Sequence, residues 1–342
     1  MRSLQIAGTS GQSTVMVGEP LEHLTSYCGR AKKVIVTDTT VRALYGNLFP
    51  PCEVIETGIG ERSKTLATVE KMYETFLRAE IDRSSLVLAI GGGLVCDVAG
   101  YAASTYLRGL RFGFVPTTLL AQVDASVGGK NGVNFKNYKN LVGTFTQPSF
   151  VLCDFSLLKT LSGPELRNGF AEAIKTAAIG DANLFSFFEA AWMEALSLDH
   201  GVIERIVYDS LSVKTRIVSL DEKEKGERRK LNFGHTIGHA LESLGRLRHG
   251  EGVSIGMVAA ATLSARRGLI PESDVERLRT LLERFGLPVT AHVDATAVRE
   301  ALRKDKKREN EEIHFVLLDG IGRARVAPVK VSELDGMLHD LC

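Results

Sequence analysis

Two hydrophobic rhythms divide this chain. Through about residue 154, short β-branched runs alternate with stretches of helical period. KKVIVTD reads as a buried strand ending at Asp38, and SSLVLAIGGG as a strand running into a glycine turn. LRFGFVPTT and SFVLCD supply two more strands. Between the first two, SKTLATVEKMYETFLRAEI places Leu66, Val69, Met72, Tyr73 and Phe76 on one side of a predicted helix. Strand, helix, strand in this order predicts a parallel sheet of the nucleotide-binding kind. After about Asp154 the rhythm changes. From LKTLSGPELRNGFAEAIKTAAI to SDVERLRTLLERFGL nearly everything reads as helix, punctuated by Gly and Pro. EEIHFVLLDGIGRARVAPV then predicts a β-hairpin turning at Asp319-Gly320. The fold class is therefore α/β, with a Rossmann-like N-terminal domain over 1–154 and a mainly α-helical domain over 155–342. A cleft between them is the expected ligand site.

Composition narrows the function classes. At 342 residues the chain exceeds the usual limit for one core, which agrees with two domains. Apolar content of 44% and charged content of 24% are those of a soluble globular protein. A formal net charge of +1 gives no reason to expect nucleic acid as a partner, so any basic residues that matter must be locally concentrated. No apolar run approaches the roughly 18 residues of a membrane span, and MRSLQIAGTS is not a signal peptide. The five cysteines, Cys28, Cys52, Cys96, Cys153 and Cys342, are odd in number and lack CxxC pairing. They read as reduced thiols of a cytoplasmic protein.

The polar strand ends come next. GGGLVCDVAGYAAS follows a predicted strand and opens a predicted helix, where glycines let a phosphate approach the backbone and the helix N-terminus favours its charge. The GxGxxG fingerprint is not met, and a glycine triplet also serves as a plain tight turn. GERSK (60–64) and VPTT (115–118) sit at C-terminal strand ends as well, where ligands of open α/β sheets bind. Three such ends in one half favour a dinucleotide site.

LNFGHTIGHALESLGRLRHGEG holds His235, His239 and His249. The first two share a helix face one turn apart, as in a zinc-protease helix, but Thr236 stands where that motif needs its glutamate. A catalytic zinc takes three protein ligands and keeps a position open. Glu172 in NGFAEAIKTAA supplies a carboxylate candidate. Spacing alone leaves open which two of the three histidines bind. A further polar stretch, DASVGGKNGVNFKNYKNLVG, alternates Lys130, Lys136 and Lys139 with Asn131, Asn134, Asn137 and Asn140. It reads either as a solvated loop or as a loop for an anionic, hydroxyl-rich substrate.

Six blocks, GGGLVCDVAGYAASTYLRG, VPTTLLAQVDASVGGKNGVN, KNLVGTF, NGFAEAIK, LNFGHTIGHALE and HGEGVSIGM, occur in this order. With them the chain resembles the 3-dehydroquinate synthases of the sugar phosphate cyclase superfamily, from about residue 30 to about residue 325. The resemblance implies a dehydroquinate synthase-like fold, with NAD+ on the first domain and a zinc- and substrate-binding second domain, Co2+ being a substitute. It implies Glu172, His235 and His249 as metal ligands, with His239 as acid/base and Glu224 as a second acid/base carboxylate. Lys130 and Arg228 join these two in the implied catalytic set. Substrate contacts would fall to Arg108, Asp124, Lys130, Asn140, Lys175, Lys214, Arg228 and Asn232, with Lys306 or Lys307 closing over. The cofactor would lie on Asp38, Glu61, Lys64, Gly92, Gly93, Asp97, Thr117, Thr118 and Lys139.

The implied reaction converts 3-deoxy-D-arabino-heptulosonate 7-phosphate to 3-dehydroquinate and phosphate, a step of the shikimate pathway. NAD+ oxidises the C5 hydroxyl, phosphate is eliminated, the hydride returns, and an aldol closure forms the ring. A homodimer is implied, acting on a small sugar phosphate without nucleic acid or membrane. Two departures stand out. The frequent KTAVNH is KNGVNF here, so Asn131 replaces a threonine and Phe135 a histidine, and the segment between the last two zinc histidines is short. Ser126-Val127-Gly128-Gly129-Lys130 keeps the dehydroquinate synthase form. The alternatives are another sugar phosphate cyclase, a metal-dependent polyol or glycerol dehydrogenase, and a catalytically dead ligand-binding homologue.

Overall fold

The computed structural model describes residues 1–136, 138–245, 247–291, 295–303, 308–309, 312–330 and 333–334. Lys306, Lys307, Asn137 and Cys342 lie outside the described residues. Two compact units emerge, Met1–Leu161 and Ser162–Cys342. The short 3-10 segment Phe155–Thr160 goes with the first, where Tyr45 Oη donates to the Leu157 carbonyl and pairs with Thr160 Oγ1.

The first unit is built on a seven-stranded sheet. Its strands are β1 (Arg2–Gly8), β2 (Gly11–Val17), β3 (Lys33–Asp38), β4 (Glu53–Thr57), β5 (Leu86–Gly91) and β6 (Arg111–Pro116). Beyond the separate ribbon β7 (Lys130–Phe135) and β8 (Tyr138–Phe145) comes the last, β9 (Phe150–Cys153). The order is β1-β2-β9-β6-β5-β3-β4, parallel throughout except for the β1–β2 hairpin. Every residue of β5 is buried, as in a strand covered on both faces. Ile35, Leu88, Ile90, Val115 and Leu152 form the core with Met16, Leu21 and Leu24. After β3 the chain steps outward to β4, then returns to the other side of β3 as β5. The C-terminal ends of β3 and β5 therefore flank a topological switch point, the usual ligand crevice of an open sheet.

Two sequence expectations are corrected. Helix Leu66–Arg78 buries Val69, Met72 and Phe76, but Leu66 is 39% exposed. It occupies the first helical position, at the margin of the apolar stripe. The Lys/Asn stretch, read as a loop, is the antiparallel ribbon β7–β8, paired from Lys130↔Phe145 to Phe135↔Tyr138 with an irregularity after Val133. Gly132 and Gly143 face each other across it, so close that a Cβ on Gly132 would lie 2.8 Å from the Val142 carbonyl oxygen. Lacking side chains at that crossing and showing no apolar alternation, the segment hides its strand character.

The second unit is helical, as its rhythm predicts. Its main helices are Gly163–Gly180, His200–Leu220, His235–Ser243, His249–Arg266 and Glu272–Arg284. Phe285 packs against Phe170 and Phe188 at ring-centroid distances of 4.8 and 5.7 Å. The predicted hairpin is present as β11 (Glu312–Leu318) and β12 (Ala324–Lys330), closed by Asp319 N–H donating to the Arg323 carbonyl at 2.8 Å. A short strand β10 (Arg308–Glu309), not foreseen, pairs with β11.

Candidate active site

Glycines bring the second unit's ligand-type side chains to a point. A Cβ on Gly256 would overlap the Gly234 carbonyl oxygen, and one on Gly238 would lie 2.9 Å from the Gly252 carbonyl carbon. Helices His235–Ser243 and His249–Arg266 therefore cross backbone against backbone, with Gly234 in the left-handed region at φ +78° to start the first of them. Gly250 N–H donates to Asn168 Oδ1 at 3.0 Å, docking the second helix onto Gly163–Gly180 one turn before Glu172. His235, His249 and Glu172 start from three separate stretches of sequence and meet because the main chains touch.

His249 Nε2 lies 3.0 Å and His235 Nε2 3.4 Å from the same oxygen, Glu172 Oε1. Ligand atoms around a tetrahedral zinc with ~2.0–2.1 Å bonds stand about 3.3 Å apart, so these are the spacings of one coordination shell. The other ring nitrogens are engaged. His235 Nδ1 donates to the Phe233 carbonyl at 3.1 Å, and His249 Nδ1 faces Glu242 Oε1 at 2.8 Å. Such outer partners orient imidazoles for metal binding. Two nitrogens and one carboxylate oxygen form the donor set of a catalytic transition-metal centre, and the residues fit it.

The charges agree. Burial alone would raise the Glu172 carboxyl, but Lys175, bonded to Glu172 Oε2, together with His235 and His249, holds it well below the usual range. Burial drives His235 below its ordinary value, keeping it neutral and able to ligate. His249 is also penalised by burial, yet Glu172 and Glu242 on its two sides push it up to about 10. His239 sits one turn along from His235 and is exposed, its ring centroid 5.2 Å from that of His235 and 6.2 Å from that of His249. It forms a second, more open group with Glu242 and the shared His249.

Loop 221–228 presents the polar residues nearby in sequence. Asp221 accepts the backbone N–H groups of Lys225, Gly226 and Arg228 at 2.9, 2.7 and 3.1 Å. Those bonds outweigh burial and hold its pKa below the usual value. Glu224 is thereby kept in the left-handed region, at φ +58°, with its Oε1 accepting from Asn232 Nδ2. The buried Arg228 guanidinium is anchored by the Glu222 carbonyl at 2.6 Å, and Lys214 is buried on helix His200–Leu220. Lys175 is fully buried against Glu172.

In the first unit the strand ends gather the residues expected around a dinucleotide. Asp38 closes β3 and caps the following helix through Val41 N–H at 2.9 Å. Gly92 and Gly93 open helix Gly93–Thr105, whose N-terminus carries no side-chain cap. A Cβ on Gly92 would press Thr118 at 3.1 Å, and one on Gly93 would meet Ala125 at 2.9 Å. Thr117 N–H donates to the Gly91 carbonyl at 2.9 Å, tying the ends of β5 and β6. An uncapped N-terminus against glycine backbone at a switch point is a fitting cradle for a pyrophosphate.

Lys64 Nζ donates to both Asp97 Oδ2 and Asn140 Oδ1. Asn134 links the group, donating to Glu61 Oε1 at 2.7 Å and accepting Asn140 N–H at 2.8 Å. The structure thus joins Asn140, which the resemblance implied for substrate, to Lys64 and Asp97, implied for cofactor. Lys130 and Lys139 are exposed on the ribbon, Asp124 is half-buried in the π-turn Ala121–Ala125, and Arg108 is exposed at φ +68°. Asn131, the departure at KNGVNF, points inward. It donates to the carbonyls of Gly129 and Thr146 at 3.0 and 2.9 Å and packs against Gly100.

Asn134, Asn168, Asp221 and Glu242 were not assigned from sequence. Each acts by holding another side chain or a loop. The available signals were Asn134, which belongs to the Lys/Asn alternation, and Glu242, spaced three residues after His239 and seven before His249.

Comparison with known proteins reaches both units. The family model described as 3-dehydroquinate synthase N-terminal matches residues 54–168, and that described as 3-dehydroquinate synthase C-terminal matches 169–308. A 3-dehydroquinate synthase from Thermoanaerobacter pseudethanolicus is 43% identical over 318 residues, 89% of either chain. Among solved structures, 2-deoxy-scyllo-inosose synthase complexed with carbaglucose-6-phosphate, NAD+ and Co2+ superposes with a TM-score of 0.89. It is 28% identical and covers 100% of both chains. A 2-epi-5-epi-valiolone synthase from Streptomyces hygroscopicus with NAD+ and Zn2+ bound gives 0.88 at 30% identity, covering 100% of this chain and 99% of its own. Matched along both units by the family models, and at this identity over most of its length, the chain belongs to the 3-dehydroquinate synthase family.

Proposed function

We infer that the chain is a 3-dehydroquinate synthase, a carbon–oxygen lyase that converts 3-deoxy-D-arabino-heptulosonate 7-phosphate to 3-dehydroquinate and phosphate. The observation that carries this reading is the convergence of His235 and His249 on one oxygen of Glu172, at the positions where the family resemblance puts the metal. We take Zn2+ as the cation held by Glu172, His235 and His249. NAD+ would lie on Asp38, Glu61, Lys64, Gly92, Gly93, Asp97, Thr117, Thr118 and Lys139. When bound, the nicotinamide takes and returns a hydride, and the cation acts as a Lewis acid toward the oxidised position.

The chain's own residues account for the proton traffic and the anion binding. His239 is exposed and stands outside the buried ligand set, and we assign its imidazole to move a proton at a substrate hydroxyl. Glu224 is aimed by Asn232 and serves as the second acid/base carboxylate. Arg228 is buried and anchored through one nitrogen to a carbonyl, a setting in which a charge-assisted bond to phosphate or carboxylate is strong. Lys130, Lys214, Arg108, Asn140, Asn232 and Asp124 complete the substrate set, and Lys175 keeps Glu172 ionised. Asn131 stabilises the ribbon from beneath and leaves the exposed face to Lys130.

A homodimer is supported by the family resemblance and by the apolar side chains the ribbon exposes, among them Phe135, Tyr138, Leu141 and Phe145. A cytoplasmic setting is supported by the four described cysteines, all free thiols. No helix among the described residues is long and apolar enough to cross a membrane.

The test is a balance sheet of products. Supplied with the heptulosonate phosphate and substoichiometric NAD+, the enzyme should release many phosphates per chain with no steady rise in NADH absorbance. Accumulation of NADH in step with substrate loss, without phosphate, would make it a dehydrogenase.

A further inference from the structure

His249 faces two clusters at once. Its Nε2 points at Glu172, 3.0 Å away, and its Nδ1 at Glu242, 2.8 Å away. On the Glu242 side stands His239, three residues earlier on the same helix and so on the same face. His239, Glu242 and His249 offer ligand atoms all within 4.8 Å of one another.

We propose that these three residues form a second divalent transition-metal site, weaker than the first, which stops turnover when filled. The proposal rests on the reading of Glu172, His235 and His249 as the first site. Two imidazole nitrogens and one carboxylate oxygen suit Zn2+, Co2+ or Cu2+ rather than Mg2+ or Ca2+. The second site is the more accessible of the two: the His249 and Glu242 side chains are 34% and 9% exposed, whereas Glu172 is 0%. His239 also lines a cavity of about 480 Å³, together with Thr236, Ser243, Ala297 and Glu300, so this ligand is reached from open space.

The two sites compete for one ring. Filling both makes His249 a bridging imidazolate: a bond forms from the second cation to Nδ1, and the Nδ1 proton leaves to solvent. That ionisation makes the second cation the weaker bound. A filled second site also removes His239 from acid/base work and draws Glu242 off His249. Excess of the activating metal therefore inhibits.

The experiment counts metal. Equilibrium dialysis of the NAD-loaded enzyme against buffered Zn2+ should give one tight and one weak equivalent per chain. Turnover should fall as the weak one fills and recover when a weak chelator removes it. His239→Ala and Glu242→Gln should each keep the tight equivalent and lose the weak one. His235→Ala should do the reverse, and His249→Ala should lose both. Cu2+ added to Zn-loaded enzyme should give an electron paramagnetic resonance signal with histidine nitrogen couplings that vanishes in His239→Ala. Circular dichroism of each variant verifies that it is folded. A wild-type enzyme that stops at one equivalent in excess Zn2+, or a weak equivalent that survives both His239→Ala and Glu242→Gln, overturns the second site alone. A tight equivalent that survives His235→Ala overturns the first-site reading on which it rests.

Discussion

The two polar centres of this chain are held in different ways. In the second unit, main chain touches main chain: helices carrying His235 and His249 meet through glycines, and Asn168 pins the helix carrying Glu172. In the first unit, side chains hold side chains: Lys64 spans Asp97 and Asn140, and Asn134 spans Glu61 and Asn140. The first arrangement leaves no room for a side chain at the crossing and tolerates little. The second is a network of exchangeable polar bonds at the rim of a sheet, suited to a ligand that arrives and leaves. A cation held by three side chains and a dinucleotide laid along a sheet edge ask for these two kinds of support.

The largest effects should come from the ligands. His235→Ala or Glu172→Ala should strip the bound metal and abolish turnover, because two of three ligands leave an incomplete shell. His239→Ala should keep the tight metal while losing roughly 10²–10⁴-fold in kcat, the usual worth of a general acid/base. Zinc content by plasma emission alongside kcat decides this, and the opposite pattern would reverse the roles of the two histidines.

Next in size is the helix crossing. Gly256→Ala forces a methyl into the Gly234 carbonyl and should cost about 3 kcal/mol or more of stability, with metal lost as well. Gly60→Ala, at φ +78° and ψ 175° with open space around it, should cost about 1–3 kcal/mol, from backbone strain alone, and leave the metal in place. Denaturant midpoints of the two variants test the comparison, and equal losses would remove the distinction between the centres.

The ribbon comes third. Lys130→Ala should weaken substrate binding by about tenfold or more, the worth of one charge-assisted bond, and leave NAD+ affinity nearly unchanged. Unaltered KM and kcat would return Lys130 to a solvated surface.

The smallest effect per step is that of pH. His249 is raised to about 10, so below that pH its imidazole holds a proton that a cation must displace. His235 is lowered and neutral, and adds no second proton. Zinc affinity should therefore rise about tenfold per pH unit across neutral pH. Chelator-competition titrations from about pH 6.5 to 8.5 would read the slope; a flat profile, or a slope of two, would contradict the assignment.

What the sequence made legible follows the same division. β3 and β5 were legible because buried parallel strands concentrate β-branched residues, and the helical period of the second unit was equally plain. Glu172, His235 and His249 could be nominated by residue type, but spacing could not choose between His235 and His239. What brings His235 against Glu172 is a glycine crossing between helices, which no local pattern encodes. The ribbon was missed because Lys, Asn and Gly carry no alternation of apolar residues. Asn134, Asn168, Asp221 and Glu242 were missed because their work is done on neighbours. Leu66 was misplaced because periodicity ignores where a helix begins.

The backbone-to-backbone crossing also bears on how this enzyme can be altered. Since Gly234, Gly238, Gly252 and Gly256 set how closely the helices carrying His235 and His249 approach, exchanges confined to side chains away from that crossing should leave the approach intact. A library aimed at a new substrate should leave these four positions untouched. Ser243, Ala297 and Glu300, which line the cavity beside His239, are the places to begin randomising.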